Sequence, residues 1–421
     1  MWCKLLVFSV LLVTSYCKHE QYEGHSLYEV TVSDISQTKV VYQIQNEVLA
    51  DVWSYPNPNR PGQILVSPES KEYFENVLSV AGIEYKIIIN NIKDAIEYEE
   101  TSRLHRKSLK VDPDFSSILE FEEVEAYLRR IAAAYPNVAT LVNAGKSVEG
   151  RDLWYLKISS TNFQNSSKPI VFVQSLLHAR EWVTLPASIY AIHKLVVDVT
   201  EQDLLQDIDW IIMPVANPDG YVFSHVDSRF WRKNRNPNSG ACIGVDLNRN
   251  FDFNWSQDSS GLTCSDTFHG RGPFSEPETA AIRDIINEHR SRLSLYADIH
   301  SFGSMILYGF GDGVLPHNAL ILNMVAVRMA QAIDAVKVSY NPNYVVGNVV
   351  DVLYRASGSS IDFAKAVGVP LAYTFELPSH RFASNTVLGF LVDADFIEQA
   401  GMETWEAIKA GARYARDSFS G

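Results

Sequence analysis

Five apolar runs follow one another along the chain after about residue 113, and segments with helical periodicity lie between them. The runs cover residues 153–158, 170–175, 210–215, 295–299 and 371–375. Helices are predicted over residues 121–134, 184–197, 276–289, 319–336 and from Asp393 onward. Apolar runs this continuous are typical of strands buried on both faces of a sheet. The sequence therefore predicts an α/β fold with a mixed, mostly parallel twisted sheet and helices on both faces.

A smaller unit precedes this region. Strands are predicted over residues 28–32, 64–66 and 85–89, and helices over residues 39–51 and 70–80. This pattern is typical of a small α+β unit in which helices cover one face of a sheet. Residues 101–110 are polar, rich in Lys and Arg and without apolar periodicity, which indicates a solvated linker. We expect the domain boundary in this linker, between residues 107 and 108.

Length and charge set broad limits on the partners. A chain of 421 residues with 46% hydrophobic and 20% charged residues is long enough for two globular domains. Its formal net charge of -14 opposes binding to nucleic acid or to anionic membranes. We therefore expect peptides as partners, no nucleic acid and no membrane, and a chain that acts as a monomer.

Residues 1–17 have the organisation of a secretory signal peptide. Lys4 precedes an apolar run over residues 5–13, and Ser15 and Cys17 close the segment. A membrane anchor is the alternative, but the run is well short of the roughly 20 apolar residues that a bilayer span needs. We expect a secreted, extracellular protein. A trypsin-like protease is then an expected partner, because it would cut an exposed linker rich in Lys and Arg.

Removal of the signal leaves two of the four cysteines, Cys242 and Cys264. An oxidising compartment favours pairing, and two thiolates cannot complete a tetrahedral zinc site, so a disulfide is predicted. N-glycosylation acceptor patterns begin at Asn165 and Asn254. Such short patterns occur often by chance, and the sequence leaves their use open.

Two histidines and a glutamate stand at predicted strand ends. His178 and Glu181 follow the strand over residues 170–175, and His300 follows the strand over residues 295–299. Ligand sites in sheets of this class lie at strand ends. Two histidines and one carboxylate leave a fourth position open for water, which is the ligand set of a catalytic zinc. A single His-x-x-Glu pair is a weak signal, and packed structural histidines are the alternative.

Further motifs accompany these residues in a fixed order. They are His178-Ala179-Arg180-Glu181-Trp182, Asn217-Pro218-Asp219-Gly220-Tyr221, Phe230-Trp231-Arg232-Lys233-Asn234, Gly244-Val245-Asp246-Leu247-Asn248-Arg249-Asn250, Asp298-Ile299-His300-Ser301, Tyr354-Arg355-Ala356-Ser357-Gly358 and Thr374-Phe375-Glu376-Leu377. With these motifs, the whole chain after the signal resembles the zinc carboxypeptidases of the pancreatic A/B type. The resemblance implies one zinc ion per chain, bound by His178, Glu181 and His300.

The resemblance also implies a zymogen. An activation prodomain, an antiparallel sheet with two helices, would occupy residues 18–107 and cover the active-site cleft until it is cut away. The catalytic domain would occupy residues 108–421. Proteinaceous carboxypeptidase inhibitors, together with peptide substrates that have a free C-terminus, are the partners that such a family member implies.

Roles for other residues follow from the same resemblance. Glu376, at the end of the strand over residues 371–375, is expected to act as general base, and a structural salt bridge is its alternative role. Arg232 is expected to stabilise the oxyanion of the tetrahedral intermediate. Asn248 and Arg249 are expected to grip the free terminal carboxylate of the substrate.

Three more residues receive supporting roles. Tyr354 is expected to add its hydroxyl when a loop closes over substrate. Arg180 is expected to contact substrate residues upstream of the scissile bond. Asp246 is a candidate for orienting His178 through the ring nitrogen that does not bind zinc.

Ile361 stands, by the resemblance, at the floor of the pocket for the terminal side chain, where B-type enzymes place an acid. An isoleucine offers no counter-charge to a buried Lys or Arg. The other positions that resemble pocket-lining ones are also uncharged: Gly311, Val349, Ala356 and Thr374. Asp351 is the one nearby acid that could overturn this argument. We expect an A-type enzyme that releases apolar or aromatic C-terminal residues.

Two other classes of function agree less well with the sequence. A serine hydrolase would use a Gly-x-Ser-x-Gly elbow, and Gly358-Ser359-Ser360 lacks the second glycine. A catalytically inactive binding module would lack a metal ligand or the base, and every expected residue of the site is present. The sequence does not indicate the tissue or the natural substrate.

Overall fold

The computed structural model describes residues 18–48, 50–108, 114–379 and 388–419. They form two units in contact, which we call the N-terminal unit (residues 18–108) and the C-terminal unit (residues 114–419). The expected signal peptide over residues 1–17 lies outside the described residues. Within the described ranges, no helix is long and apolar enough to cross a membrane.

The N-terminal unit is built on a four-stranded sheet. Its strands are β1 (Ser26–Thr31), β2 (Ala50–Ser54), β3 (Gly62–Val66) and β4 (Glu84–Ile89). They pair antiparallel in the order β2-β3-β1-β4. Two helices, Ile35–Glu47 and Lys71–Val80, pack on one face, where Phe74 and Leu78 contact a core with Tyr28 and Ile64. The expected antiparallel sheet with two helices is confirmed.

The first of these helices differs from its prediction at both ends. It begins at Ile35 because Asp34 caps it, accepting hydrogen bonds from the amides of Ser36 and Gln37. It ends at Glu47, and the predicted last turn is instead the start of β2. Val52 and Trp53 favour a strand there, because β-branched and aromatic side chains pack well on a pleated surface.

A third helix, Ile92–Ser108, corrects the prediction of a linker without secondary structure over residues 101–110. Ile92, Ile96, Glu99 and Arg103 are buried, which is a helical spacing, but two of the four are charged. A hydrophobic periodicity was therefore not visible in the sequence. The helix packs between the two units, and residues 109–113 lie outside the described residues.

The C-terminal unit contains an eight-stranded sheet. Its strands are β5 (Ala139–Lys146), β6 (Asp152–Ile158), β7 (Ile170–Ser175), β8 (Asp209–Met213), β9 (Leu293–Ser301), β10 (Met305–Tyr308), β11 (Val345–Asn348) and β12 (Leu371–Leu377). The order is β11-β10-β12-β9-β7-β8-β6-β5. The central strands β12, β9, β7 and β8 are parallel, and the pairings β10/β12, β6/β8 and β5/β6 are antiparallel. The predicted mixed sheet is confirmed.

Helices cover both faces of this sheet. They are Phe121–Ala134, Thr184–Val196, Gln202–Gln206, Pro218–Val226, Pro277–His289, Ala319–Asp334, Val349–Val352, Ser360–Ala366 and Ile397–Ser418. Short 3-10 turns lie at Glu20–Tyr22, Pro68–Ser70, Asp114–Ser116, Pro237–Ser239 and Leu247–Arg249. Val171 and Val173 of β7 contact one core, while Ile170 and Phe172 contact the core on the opposite face. Apolar side chains on both faces explain the continuous apolar runs in the sequence.

The parallel strands bring the candidate site together. His178 lies just beyond the end of β7, and in the pairing of β12 with β9 Glu376 lies directly beside His300. The predicted disulfide, which joins Cys242 to Cys264, is also confirmed.

Candidate active site

Three buried side chains form a metal site at the ends of β7 and β9. Nδ1 of His178 lies 3.0 Å from Nδ1 of His300, and each lies 2.8 to 2.9 Å from an oxygen of Glu181. Tetrahedral ligands at about 2.0 Å from a zinc ion stand roughly 3.3 Å apart, so this cluster fits the ion in size and in ligand type. In the part of the chain that is described, it is the one such cluster.

Each histidine has a carboxylate at its other ring nitrogen. Asp246 accepts a hydrogen bond from Nε2 of His178 at 3.0 Å, as expected, and Asp298 does the same for Nε2 of His300 at 2.9 Å. A proton held at Nε2 leaves the lone pair of Nδ1 free for the metal. The contact of Asp298 was not anticipated, although its place two residues before His300 on a strand puts both side chains on one face.

Glu376 lies half-buried beside the metal site. Burial raises the pKa of its carboxyl to about 8, the negative charge of Glu181 adds to this shift, and His300 and Arg232 oppose it. A carboxyl with such a pKa exchanges protons near neutral pH. The position and the pKa suit a group that takes a proton from one atom and returns it to another.

Arg232 faces the same cavity. Its guanidinium donates to Oδ2 of Asp246 from Nε at 3.2 Å and from Nη2 at 2.9 Å, and its Nη1 lies 3.9 Å from Glu181. Asp246 thus holds both a metal ligand and this arginine. A cation fixed in this way can stabilise negative charge that develops next to the metal.

The next group of predicted residues lies along the same cavity, whose volume is about 90 Å³. Asp246 caps the turn Leu247–Arg249, because its side chain accepts a hydrogen bond from the backbone amide of Asn248. Arg249 donates from Nη1 to the carbonyl of Asn248 at 2.8 Å, and its Nη2 lies 3.4 Å from the hydroxyl of Tyr354. Asn248, Arg249 and Tyr354 therefore form one polar wall.

A second set of residues lining the cavity is uncharged and mostly apolar, and we call it the apolar wall. It consists of Leu307, Gly311, Val349, Leu353, Ala356, Ile361 and Thr374. Ile361 is 3% exposed, and Gly311 is required, because a Cβ there would lie 1.8 Å from the carbonyl oxygen of Ala356. Asp351 is exposed and lines a different cavity. The described residues lining this wall include no acid.

Arg180 lies outside this cavity and is 2% exposed. Its Nη1 donates to both carboxylate oxygens of Asp51 from the N-terminal unit, at 2.9 and 2.8 Å, and lies 3.5 Å from Asp266. Arg180 also stacks on Phe390. The residue is therefore accessible to other partners only when the N-terminal unit moves away.

Other residues of the N-terminal unit enter the cavity itself. Trp53, Ser54, Tyr55 and Arg60 line it together with the metal-site residues. Tyr55 packs edge-on against Tyr354, with ring centroids 5.6 Å apart. None of these four residues was predicted from the sequence, and Trp53, Tyr55 and Arg60 contact residues more than a hundred positions away along the chain.

A mixed sheet with a His-Glu-His metal site and an acid at its strand ends defines the class of metal-dependent hydrolases. Family models match the chain as "Carboxypeptidase activation peptide" over residues 28–99 and as "Zinc carboxypeptidase" over residues 124–407. The chain belongs to the zinc carboxypeptidase family. It is a metallocarboxypeptidase in zymogen form, because the activation peptide is present.

Individual relatives agree with this assignment. The chain is 43% identical over 430 residues to carboxypeptidase B of Helicoverpa zea, covering 99% of both chains. It is similar to the crystal structure of carboxypeptidase A from Helicoverpa armigera, with 55% identity, a TM-score of 0.92 and coverage of 95% of this chain and 99% of that one. A complex of bovine thrombin-activatable fibrinolysis inhibitor with tick carboxypeptidase inhibitor has 27% identity, a TM-score of 0.67 and coverage of 73% and 100%. Relatives with A and B names both occur.

Proposed function

We propose that the chain is the secreted precursor of an A-type carboxypeptidase, which releases apolar or aromatic residues from the C-terminus of peptides. The single observation that supports the A-type preference is the apolar wall around Ile361, which lines the same cavity as the metal site. In this proposal, residues 1–17 are the signal peptide, residues 18–107 the activation prodomain and residues 108–421 the catalytic domain.

His178, Glu181 and His300 would hold one zinc ion. When bound, zinc acts as a Lewis acid and lowers the pKa of water toward about 7. Glu376 takes a proton from the attacking water at its carboxylate and passes it to the nitrogen of the leaving amine. Arg232 directs its guanidinium at the carbonyl oxygen, whose charge becomes negative as the tetrahedral intermediate forms.

The polar wall accounts for the requirement of a free C-terminus. Arg249 can offer two parallel N–H donors to a carboxylate, and Asn248 adds one amide donor. Tyr354 contributes its hydroxyl at the mouth of the cavity. Arg180 lies next to the cleft, where the residues upstream of the scissile bond would pass once Asp51 has left. An endopeptidase would not need such a clamp for a terminal carboxylate.

The apolar wall sets the preference among C-terminal residues. A Lys or Arg side chain would bury its charge against Ile361 without a counter-ion, at a cost of several kcal/mol. A Phe side chain gains roughly 25 cal/mol for each Å² of apolar surface removed from water. The names of the relatives do not decide between A and B types, whereas this pocket chemistry favours the A type.

Matched peptides that differ only in the last residue test the preference. The activated enzyme should have a kcat/KM for a C-terminal Phe at least 100-fold above that for Arg, and Ile361→Asp should shift the ratio toward Arg. Val314→Asp is the matched control, since Val314 is 58% exposed and lies outside the cavity. A wild-type preference for Arg would make the A-type assignment wrong.

The zymogen is inactive in this proposal because the prodomain occupies the cleft. Asp51 binds Arg180, Tyr55 packs on Tyr354, and Arg60 brings a positive charge near Glu376. The prodomain residues Trp53, Ser54, Tyr55 and Arg60 line the cavity at the metal site, where about 90 Å³ remains free. We therefore expect the closed zymogen to hydrolyse peptides far more slowly than the enzyme without its prodomain.

Activation is proposed to occur next to Arg106 and Lys107, at the end of the helix Ile92–Ser108. The side chain of Lys107 is 42% exposed and that of Arg106 is 21% exposed, whereas that of Arg103 is 8% exposed, and each of the three is paired with a carboxylate. Helix ends fray more easily than helix centres, and proteases need an unfolded stretch.

Trypsin treatment followed by N-terminal sequencing tests this site. Arg106→Gln combined with Lys107→Gln should slow activation strongly, and Lys93→Gln, on the same helix, should not. Activation of the double variant at the wild-type rate would place the cleavage elsewhere and would move the boundary between residues 107 and 108.

Secretion and partners complete the proposal. The apolar run over residues 5–13 and the Cys242–Cys264 disulfide support an oxidising, extracellular location. The related thrombin-activatable fibrinolysis inhibitor binds a carboxypeptidase inhibitor from tick, which supports a proteinaceous inhibitor as a partner. The chain acts as a monomer with peptide substrates. Expression with residues 1–17 in a secreting host should deliver the protein to the medium, and retention in the cell would contradict this.

A further inference from the structure

We propose that Asp298 is a positioning residue for the metal ligand His300, and that it couples this ligand to the substrate pocket through Ser360. The inference rests on the proposed zinc chemistry of the site. Asp298 is a buried acid for which the sequence alone indicates no role.

The geometry of strand β9 places the two side chains together. Asp298 and His300 are alternate residues of one strand, so their side chains lie on the same face. Oδ2 of Asp298 lies 2.9 Å from Nε2 of His300, while Nδ1 of the same ring points to Glu181 and His178. The hydrogen bond therefore selects the tautomer of His300 that presents a lone pair to the metal.

The carboxylate of Asp298 is itself held by two further donors. Oδ1 accepts from Nε2 of Gln174 on the neighbouring strand β7 at 2.9 Å, and Oδ2 accepts a short hydrogen bond from the hydroxyl of Ser360. Gln174, Asp298 and Ser360 are each 0% exposed. Water does not compete with these hydrogen bonds, so they hold the carboxylate in one orientation. The carboxylate in turn fixes the orientation of the imidazole ring of His300.

Ser360 extends this network to the substrate side. It begins the helix Ser360–Ala366, directly before Ile361 at the apolar wall. Its backbone amide donates to Oδ1 of Asn248 at 2.9 Å, while its hydroxyl donates to Asp298. One connected set of hydrogen bonds thus includes a metal ligand and a residue of the carboxylate clamp.

A purely structural role would predict different consequences. A buried aspartate that only joins strands β7 and β9 would support folding stability and leave metal affinity unchanged. Residues that orient metal-bound histidines typically change metal affinity or activity by 10- to 100-fold when they are replaced. The two roles are therefore separated by measuring zinc affinity and the stability of the zinc-free protein side by side.

The test compares Asp298→Asn with Asp209→Asn on the whole chain. Asp209 is also a fully buried aspartate, but it lies on β8 and pairs with Lys168 and Arg292, away from the metal site. Zinc dissociation constants are measured by competition with a chelator, and the melting temperature is measured without metal. We expect Asp298→Asn to weaken zinc binding 10- to 100-fold. Asp209→Asn should lower the melting temperature and leave zinc affinity within about twofold of wild type.

Ser360→Ala is the second variant and keeps the test valid if Asp298→Asn does not fold. It removes one donor to Asp298 without touching the imidazole, so zinc affinity should fall severalfold. Because the backbone amide of residue 360 still donates to Asn248, KM should stay near wild type while kcat falls at limiting zinc. The visible spectrum of the cobalt-substituted protein should also shift in both variants.

The outcomes separate this inference from the proposed function. Wild-type protein that fails to bind zinc would contradict the proposed function itself. Wild-type zinc binding together with unchanged affinity in Asp298→Asn, or in Ser360→Ala if the first variant does not fold, would overturn the positioning role alone. A lower melting temperature of the zinc-free Asp298→Asn protein at unchanged zinc affinity would assign Asp298 a structural role.

Discussion

Replacement of Glu99 by Gln should release the prodomain from the catalytic domain. Glu99 lies on the helix Ile92–Ser108 and binds Arg229 of the C-terminal unit, with Oε2 to Nε at 2.6 Å and Oε1 to Nη2 at 3.0 Å. The side chains are 6% and 1% exposed. Oε1 also accepts the amide of Val392. The carboxylate thus accepts three hydrogen bonds, two from Arg229 and one from Val392. In Glu99→Gln, the side-chain NH₂ would point at one of these donors, and that hydrogen bond would be lost.

The free energy lost in the Glu99→Gln variant depends on how deeply the ion pair is buried. Breaking a buried ion pair by removing one charge costs about 3 to 5 kcal/mol, because the other charge remains uncompensated. We take about 3 kcal/mol, since Gln keeps one acceptor oxygen. At 1.36 kcal/mol per tenfold change, the open fraction of the zymogen should rise on the order of 100-fold.

Glu100→Gln is the matched control. Glu100 is the next residue of the same helix, and it pairs with Lys18 and His19 at a partly exposed position. Exposed ion pairs contribute about 0 to 1 kcal/mol to stability, so the open fraction of the Glu100→Gln zymogen should change by less than about fivefold.

The assay is the rate at which each uncut zymogen hydrolyses a long peptide, relative to the same protein after trypsin treatment. Both variants should give wild-type activity once cut, because Glu99 and Glu100 leave with the prodomain. An uncut Glu99→Gln protein as inactive as wild type, or an equal effect of Glu100→Gln, would refute the reasoning.

Three further predictions concern the base, the pH dependence and the disulfide. Glu376→Gln should retain zinc and bind peptide but lose nearly all turnover, and near-normal kcat would remove Glu376 from the base role. Burial raises the pKa of Glu278 to about 8, so its contribution to stability is present below its unfolded pKa of about 4.5 and is lost as the pH rises through 8. The free energy of unfolding of Glu278→Gln should therefore equal that of wild type near pH 5 and exceed it by a few kcal/mol at pH 9. Parallel curves of melting temperature against pH for the two proteins would contradict this. Replacing Cys242 and Cys264 by Ser should lower the free energy of unfolding by about 3 kcal/mol, because the disulfide closes a loop with a sequence separation of 22. The zinc content should stay unchanged, and a loss of zinc would contradict this.

Much of the central sheet was predictable, because its strands are buried on both faces. The strands β7, β8, β9 and β12 follow the predicted runs closely. The strands β10 and β11 have four residues each, and half of β5 faces outward, so their apolar patterns are too short or too mixed to be recognised. The helix Ile92–Ser108 was missed because charged residues occupy its buried face.

The residues of the site were predictable where they end a strand or belong to a motif. His178, His300 and Glu376 follow this rule, and the structure brings them together. The contacts of Asp51 with Arg180 and of Glu99 with Arg229 were not predictable, since they join residues 129 and 130 positions apart. Only the docked arrangement of the two units shows which charges of the N-terminal unit are paired.

The most direct test uses a peptide that ends in Phe and its C-terminal amide, with the chain cut by trypsin. The last peptide bond should be cleaved far faster in the acid, which releases Phe, than in the amide, which would release phenylalaninamide, because the proposed clamp of Asn248 and Arg249 binds a carboxylate. A chelator should abolish this activity, and added zinc should restore it. Equal cleavage of the two peptides, or full activity without zinc, would contradict the central claim of a zinc-dependent carboxypeptidase.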